Sequence, residues 1–130
     1  MKRRIIITAS VFGTIAVIAG AFGAHGLDKL LSAKNMEIWH TAVQYQFYHV
    51  FALLFLSTLT RYQTRLIKDC YYLFTFGIIL FSGSLYLLAC VDLLGWSWIP
   101  IMGPITPLGG LLFIGGWISI GAIAFKNKLN

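Results

Sequence analysis

Four long apolar stretches occupy most of the chain, over residues 5–22, 41–60, 71–94 and 105–125, and nearly all charged residues lie between them. Each stretch is close to the ~17–25 residues that an α-helix needs to cross a hydrocarbon core about 30 Å thick. In lipid, an α-helix forms the hydrogen bonds of its backbone N–H and C=O groups within its own segment, so it can cross the hydrocarbon without unpaired groups. We therefore predict an all-α integral membrane four-helix bundle, a single domain over residues 1–130, with helices at about 5–24, 36–60, 70–94 and 105–125.

The composition excludes an ordinary soluble domain, because 58% of the 130 residues are hydrophobic and only 11% are charged. Four spans with short connections leave no room for a separate extramembrane domain. The first stretch follows three basic residues, as the apolar region of a signal peptide does. It is longer than the ~7–15 residues of such a region and further stretches follow, so we predict that it remains as the first helix.

The basic residues are distributed unevenly along a chain whose net charge is +6. Eight of the ten flank the stretches on one side: Lys2, Arg3, Arg4, Arg61, Arg65, Lys68, Lys126 and Lys128. By the positive-inside rule, we predict a plasma (inner) membrane protein with both termini cytoplasmic (N-in/C-in). The basic side is expected to attract anionic lipid headgroups, at about 1 kcal/mol per residue. Because these charges mark the membrane edges, we predict contact with the lipid bilayer and not with nucleic acid.

Small residues recur on one face of the first stretch and along the fourth. They are Gly13, Ala16, Gly20, Gly110, Gly115 and Gly116. Small side chains let a second membrane helix approach closely. Two interpretations remain open, namely packing within one chain and an interface with a second copy or a larger membrane complex.

The first connection is predicted to contain a short amphipathic helix at the membrane interface, because Leu27, Leu30 and Leu31 share one side of a helix there. Asn35 is then predicted to cap the second helix, since asparagine is a favourable N-cap residue.

A buried polar cluster is predicted where the second and third helices pass each other. On a helix, Gln46 and His49 share one face, and His49 lies about 12 Å from the membrane boundary at 1.5 Å per residue. The same count puts Tyr86 of the third helix at that depth, with Ser82 beside it. An ionisable group at this depth is a functional-site hypothesis, although these groups could also serve only to fix the packing of the helices.

Three further polar residues, His25, His40 and Asp92, are expected on the outer side. Asp92 is predicted near the C-terminal end of the third helix, where the helix dipole disfavours an acid. Two interpretations remain open, namely a cationic partner among Lys29, Lys34, His40 and His25, and a carboxylate that is solvated at the membrane interface. The spacing of the three histidines fits no common ligand motif, so neither a metal nor a cofactor is predicted.

Four motifs occur in the order GAFGAHGL at residues 20–27, Ala42 through His49, FSGSLY at 81–86, and TPLGG at 106–110 followed by Gly116 and Trp117. Together they resemble the small bacterial membrane proteins of the domain-of-unknown-function 423 family, related to the eukaryotic transmembrane protein 256 group. The resemblance implies a four-helix integral membrane protein. It implies no activity, substrate or catalytic residue.

We predict a non-enzymatic scaffold or accessory subunit that packs through its small-residue faces against itself, as a homo-oligomer, or against a larger membrane complex. A small transporter or channel that uses Gln46, His49 and Tyr86 as a polar path is one alternative. A lipid- or quinone-binding module is another. No catalytic residue is predicted, because no nucleophile with a base and an orienting acid is evident.

Overall fold

The computed structural model describes residues 1–62 and 65–127, which form helices and short turns. The α-helices are α1 (Lys2–Phe22), α2 (Ala33–Thr58), α3 (Arg65–Ala89), α4 (Val91–Leu94) and α5 (Ile105–Asn127). A π-helical turn at Gly23–Leu27 extends α1, and 3-10 turns occupy Leu59–Tyr62 and Ile99–Met102. The predicted all-α class is confirmed for the described residues. Lys128, one of the eight basic residues assigned to the cytoplasmic side, lies outside them.

Three segments are long and apolar enough to cross a membrane: Lys2–Leu27, Arg65–Ala89 and Ile99–Lys126, with mean hydropathies of 2.3, 1.8 and 1.9. The α2 helix is not among them, although its 26 residues give it sufficient length. Its middle part carries Gln44, Gln46 and His49, which lower its hydropathy. Gln46 and His49 are buried, so part of the polarity of α2 is directed into the protein.

The main interfaces between the long helices follow chain order, with α1 against α2, α2 against α3, and α3 against α5. The largest fully buried side chains of the shared core include Ile5, Leu53, Leu56, Phe74 and Ile123, which come from all four long helices. Helices α1 and α5 each have one main neighbour. Their outer faces therefore expose large apolar side chains, such as Ile18 and Ile118, on a scale that indicates a lipid environment.

The interface between α3 and α5 depends on glycines in direct contact with aromatic residues. A Cβ atom at Gly116 would lie 2.6 Å from the ring of Phe74, and one at Gly109 would collide with the backbone of Phe81. These distances are shorter than any that a real side chain adopts, so the two helices reach this separation only with glycine at both positions. Gly110 and Gly115 face α3 at ordinary contact distance.

The small residues of α1 face α2. A Cβ atom at Gly13 would lie 3.5 Å from Val50, and one at Gly20 would lie 3.6 Å from Val43. Ala16 is fully buried. The predicted small-residue faces of α1 and α5 thus pack largely against α2 and α3 within the chain, although Gly110 also borders a groove described below.

The connection between α1 and α2 differs from the prediction of a short amphipathic helix. The amides of Leu30 and Leu31 both donate to the carbonyl of Leu27, at 3.0 and 2.9 Å, and form a turn. The N-cap of α2 is Ser32 and not Asn35, because Ser32 is extended and its hydroxyl accepts from the backbone amide of Asn35 at 3.1 Å. Asn35 does not cap the helix because its side chain bonds to Asp92, as described below.

Candidate functional site

Two buried polar side chains of α2, Gln46 and His49, lie three residues apart and are only 2% and 4% exposed. Their spacing puts them on adjacent parts of one helix face. A buried polar side chain is costly unless its hydrogen bonds are made. The partners of Gln46 and His49 therefore define what this part of the molecule can do.

The amide of Gln46 joins three helices. Its Nε2 donates to the carbonyl of Phe12 in α1 at 2.7 Å, and its Oε1 accepts from the hydroxyl of Tyr86 in α3 at 2.8 Å. Close by, the hydroxyl of Ser82 in α3 donates to the carbonyl of Ala42 in α2 at 2.8 Å. These bonds connect the middle of α1 and of α2 to the C-terminal third of α3.

His49 makes a separate set of contacts. Its Nδ1 lies 2.7 Å from the carbonyl oxygen of Tyr45, which can only accept, so Nδ1 carries a proton. The indole N–H of Trp117 donates to Nε2 at 3.3 Å, so Nε2 is unprotonated and the imidazole is neutral. The ring stacks on Phe113, with centroids 3.4 Å apart and an interplanar angle of 4°.

The four residues predicted as one cluster therefore occupy two places. The structure brings Gln46 together with Tyr86 and puts the Ser82 bond beside them, whereas His49 is bonded to α5 through Trp117. Sequence reasoning missed Phe113 and Trp117. A signal was available for Trp117, because it lies near the middle of an apolar span, whereas membrane tryptophans concentrate at the interfaces.

A groove of about 740 Å³ lies between α2 and α5 beside His49. We call it the α2–α5 groove. It is lined by Tyr45, Tyr48, His49, Phe81, Pro107, Gly110, Leu111, Phe113, Ile114 and Trp117. The groove is open on one side, where the rings of Tyr45, Tyr48 and Trp117 are 39%, 54% and 51% exposed.

The partner of Asp92 differs from the prediction of a cation. Asp92 lies in α4 and its Oδ2 accepts from the Nδ2 of Asn35 in α2 at 2.9 Å. An amide N–H thus supplies a donor to this exposed carboxylate, and the neutral Asn35 stands where a cation is predicted. His25 and His40 are exposed. In the part of the chain that the structure describes, no three His, Cys, Asp or Glu side chains are grouped so that they could hold a metal ion.

Comparison with known proteins gives relatives along nearly the whole chain. A family model described as "Protein of unknown function (DUF423)" matches residues 19–110. A UPF0382 membrane protein of Staphylococcus epidermidis is 43% identical over 121 residues, covering 93% of this chain and 94% of the relative. The UPF0382 membrane protein YwdK of Bacillus subtilis is 41% identical over 123 residues, covering 93% and 95%. The UPF0382 inner membrane protein YgdD of Escherichia coli is 39% identical over 132 residues, covering 98% and 95%. No solved structure matches the chain.

Proposed function

The chain belongs to the DUF423 family of membrane proteins, and we propose that it is a non-enzymatic subunit that packs against another membrane protein through the outer face of α1. The proposed partner is a second copy of the chain or a larger complex. The relatives are named only as membrane proteins, one of them of the inner membrane, and their names give no activity.

We propose four spans in one domain, with both termini cytoplasmic. Burial of Gln46 and His49 supports α2 as the fourth span, because a helix that faces its polar groups inward needs less hydropathy to be embedded. A hydrogen bond of 2.9 Å between Thr8 and Tyr71 puts the beginnings of α1 and α3 in the same half of the molecule. The described basic residues in the first turn of α1 and at the start of α3 then lie at one end, as the positive-inside rule requires.

The observation that carries the proposed contact is an exposed row along the flank of α1, roughly 120° around the helix from the face that packs on α2, in which three of the four residues are small. Ser10, Thr14, Val17 and Ala21 are all exposed, and their spacings of four, three and four residues keep them on one side. Lipid chains gain nothing from small side chains, whereas a neighbouring helix can approach closely where they lie. The rest of the exposed surface of α1 carries large residues such as Ile7 and Ile18, and the exposed face of α5 carries large residues such as Leu111 and Ile118.

A polar transport path is less well supported. The side chains of Gln46, His49 and Tyr86, which would form it, are already hydrogen-bonded within the chain. Opening such a path would require these bonds to break at mid-membrane depth, where replacements are scarce.

The test compares two bulky substitutions at opposite edges of the protein. Complexes extracted directly from membranes into native nanodiscs would be weighed by native mass spectrometry, with Ala21→Trp on α1 and Ile118→Trp on α5 as the matched control. We expect the unaltered protein to exceed the mass of a single 14.5 kDa chain. Ala21→Trp should raise the fraction of single chains at least tenfold, and Ile118→Trp should leave it unchanged.

Either of two results would overturn the proposal: an unaltered protein that is a single chain without partners, or an Ala21→Trp variant that keeps its complex. Thr14→Leu, a smaller change on the same face, should weaken the complex in the same direction. It provides the measurement if Ala21→Trp does not accumulate in the membrane.

A further inference from the structure

The α2–α5 groove lies on a different part of the molecule from the outer face of α1, and its chemistry points to a small ligand. We propose that it binds a neutral, flat, lipid-soluble ring that carries carbonyl oxygens, a molecule of the quinone class. The ligand would stack on aromatic side chains and accept hydrogen bonds from the rim of the groove. This inference does not depend on the proposed contact of α1 with another protein.

The wall of the groove is a continuous series of rings. Tyr45 lies 4.6 Å from Phe81, Phe81 lies 5.4 Å from Phe113, and Phe113 lies 3.4 Å from His49, measured between ring centroids. The first two separations are those of tilted aromatic pairs, within about 4.5–7 Å, and the third is a direct face-to-face stack. A flat ring can extend such a series, whereas a flexible aliphatic chain gains no stacking from it.

The rim of the groove offers hydrogen-bond donors without matching acceptors. Among the described residues, the hydroxyls of Tyr45 and Tyr48 have no hydrogen-bond partner. The indole N–H of Trp117 is bonded to His49 at 3.3 Å, longer than the usual 2.9–3.0 Å. An unpaired donor is costly in hydrocarbon. A ligand with carbonyl oxygens would remove that cost.

The groove excludes charged ligands and admits lipid-soluble ones. None of the residues that line it carries a formal charge, because His49 is held as a neutral imidazole. A phosphate headgroup would find no cation there. Trp117 lies near the middle of α5 (Ile105–Asn127), so the open side of the groove faces the hydrocarbon in a four-span arrangement. The volume of about 740 Å³ is within the range of ~300–1,000 Å³ for small-molecule sites.

Two glycines of α5 provide a matched pair of variants. A Cβ atom at Gly110 would lie 3.9 Å from Phe81, so a larger side chain can be built there, and it would project into the groove. A Cβ atom at Gly121 has nothing within 4 Å, and Gly121 does not line the groove. Gly110→Leu should therefore fill the site, and Gly121→Leu should add the same side chain to the same helix elsewhere.

The experiment measures binding of radiolabelled decylubiquinone to the purified protein in phosphatidylcholine nanodiscs, with the uptake by empty nanodiscs subtracted. We expect one saturable site per chain. The dissociation constant should rise at least tenfold in Gly110→Leu and change less than twofold in Gly121→Leu. A tenfold excess of decylbenzene, which has the same tail and no carbonyl, should not displace the quinone.

A double variant, Tyr45→Phe with Tyr48→Phe, keeps both rings and removes both hydroxyls. It should weaken quinone binding at least fivefold. This variant carries the test alone if Gly110→Leu does not fold. The proposal is overturned if binding is not saturable, if decylbenzene competes as well as the quinone does, or if the double tyrosine variant binds normally.

Discussion

The α1–α2 and α3–α5 interfaces both contain small residues, yet they are held together in different ways. Between α3 and α5, Gly109 and Gly116 are in direct contact with Phe81 and Phe74, and a Cβ atom at either position would collide. Between α1 and α2, Gly13 has room for a methyl group against Val50. Steric fit defines the α3–α5 interface, whereas α1 itself packs more loosely on α2. A comparable collision arises in the π-helical turn that extends α1, where a Cβ atom at Gly23 would lie 2.5 Å from Trp39.

Hydrogen bonds compensate for the looser fit of α1 against α2. Gln46 donates to the carbonyl of Phe12 at 2.7 Å, and Trp39 donates to the carbonyl of Ala19 at 2.9 Å. Across α3 and α5, the hydroxyls of Ser84 and Thr106 share a hydrogen bond of 2.6 Å, and the Cys70 thiol, a weak donor, lies 3.3 Å from the carbonyl of Gly116. A row of glycines in a membrane helix can therefore indicate obligatory close packing or only permissive packing, and the space at each Cβ position tells the two apart.

The largest expected effect is at the close-packed interface. Gly109→Ala should lower the free energy of unfolding by about 2–3 kcal/mol, because the added methyl group meets the backbone of Phe81, which cannot rotate away. Thermal unfolding in detergent would measure the loss. An alanine variant as stable as the unaltered protein would show that α3 and α5 can separate at little cost.

The next largest effect is expected at the polar connection. Gln46→Leu should cost about 1–2 kcal/mol, because it removes bonds to two helices and leaves the hydroxyl of Tyr86 unpaired. Tyr86→Phe removes one of these bonds and should cost about 0.6 kcal/mol, the average for such bonds between membrane helices. A double-mutant cycle in detergent would check the coupling, and strictly additive losses would contradict the 2.8 Å bond.

A smaller effect of opposite sign is expected at Gly13. Gly13→Ala should raise the free energy of unfolding by about 0.4–1 kcal/mol, because alanine restricts the unfolded chain and its methyl group fits at 3.5 Å from Val50. The same substitution therefore separates the two interfaces, stabilising one and destabilising the other. If Gly13→Ala and Gly109→Ala were equally harmful in the same assay, the contrast between the interfaces would be lost.

The smallest effect is expected outside the packed helices. Asp92→Asn should change the free energy of unfolding by less than about 0.5 kcal/mol, because an asparagine oxygen can still accept from Asn35 and the site is exposed. Asn35→Leu, which removes the donor, is the informative companion variant. A large loss in Asp92→Asn would show that the negative charge itself has a partner beyond Asn35.

Much of this architecture follows from elementary features of the sequence. Apolar length locates the long helices, and the helical rise of 1.5 Å per residue predicts that His49 and Tyr86 lie at the same depth, with Gln46 slightly closer to the outer surface. That count specifies depth but not direction around the helix axis. His49 was for this reason expected to face Tyr86, whereas it faces Phe113 and Trp117 in α5.

The remaining differences between prediction and structure arise where two residues or two surfaces could play the same role. Ser32 and Asn35 can both cap a helix, and only the presence of Asp92 near Asn35 decides between them. The small residues of α1 and α5 fit a second chain as well as they fit α2 and α3, and the fold determines which contact is made. Mean hydropathy alone also does not identify α2 as a candidate span, since it averages inward-facing and outward-facing side chains.

The three-helix connection made by Gln46 has a consequence for how the protein is made. A ribosome delivers α1 and α2 first, and at that stage the Oε1 atom of Gln46 still lacks the phenol of Tyr86, its partner in α3. The nascent pair would then present an unsatisfied amide oxygen to the lipid. Stable integration of α2 should therefore wait for α3 to leave the translocation channel, so the two helices would be released into the bilayer as a hairpin and not one after the other.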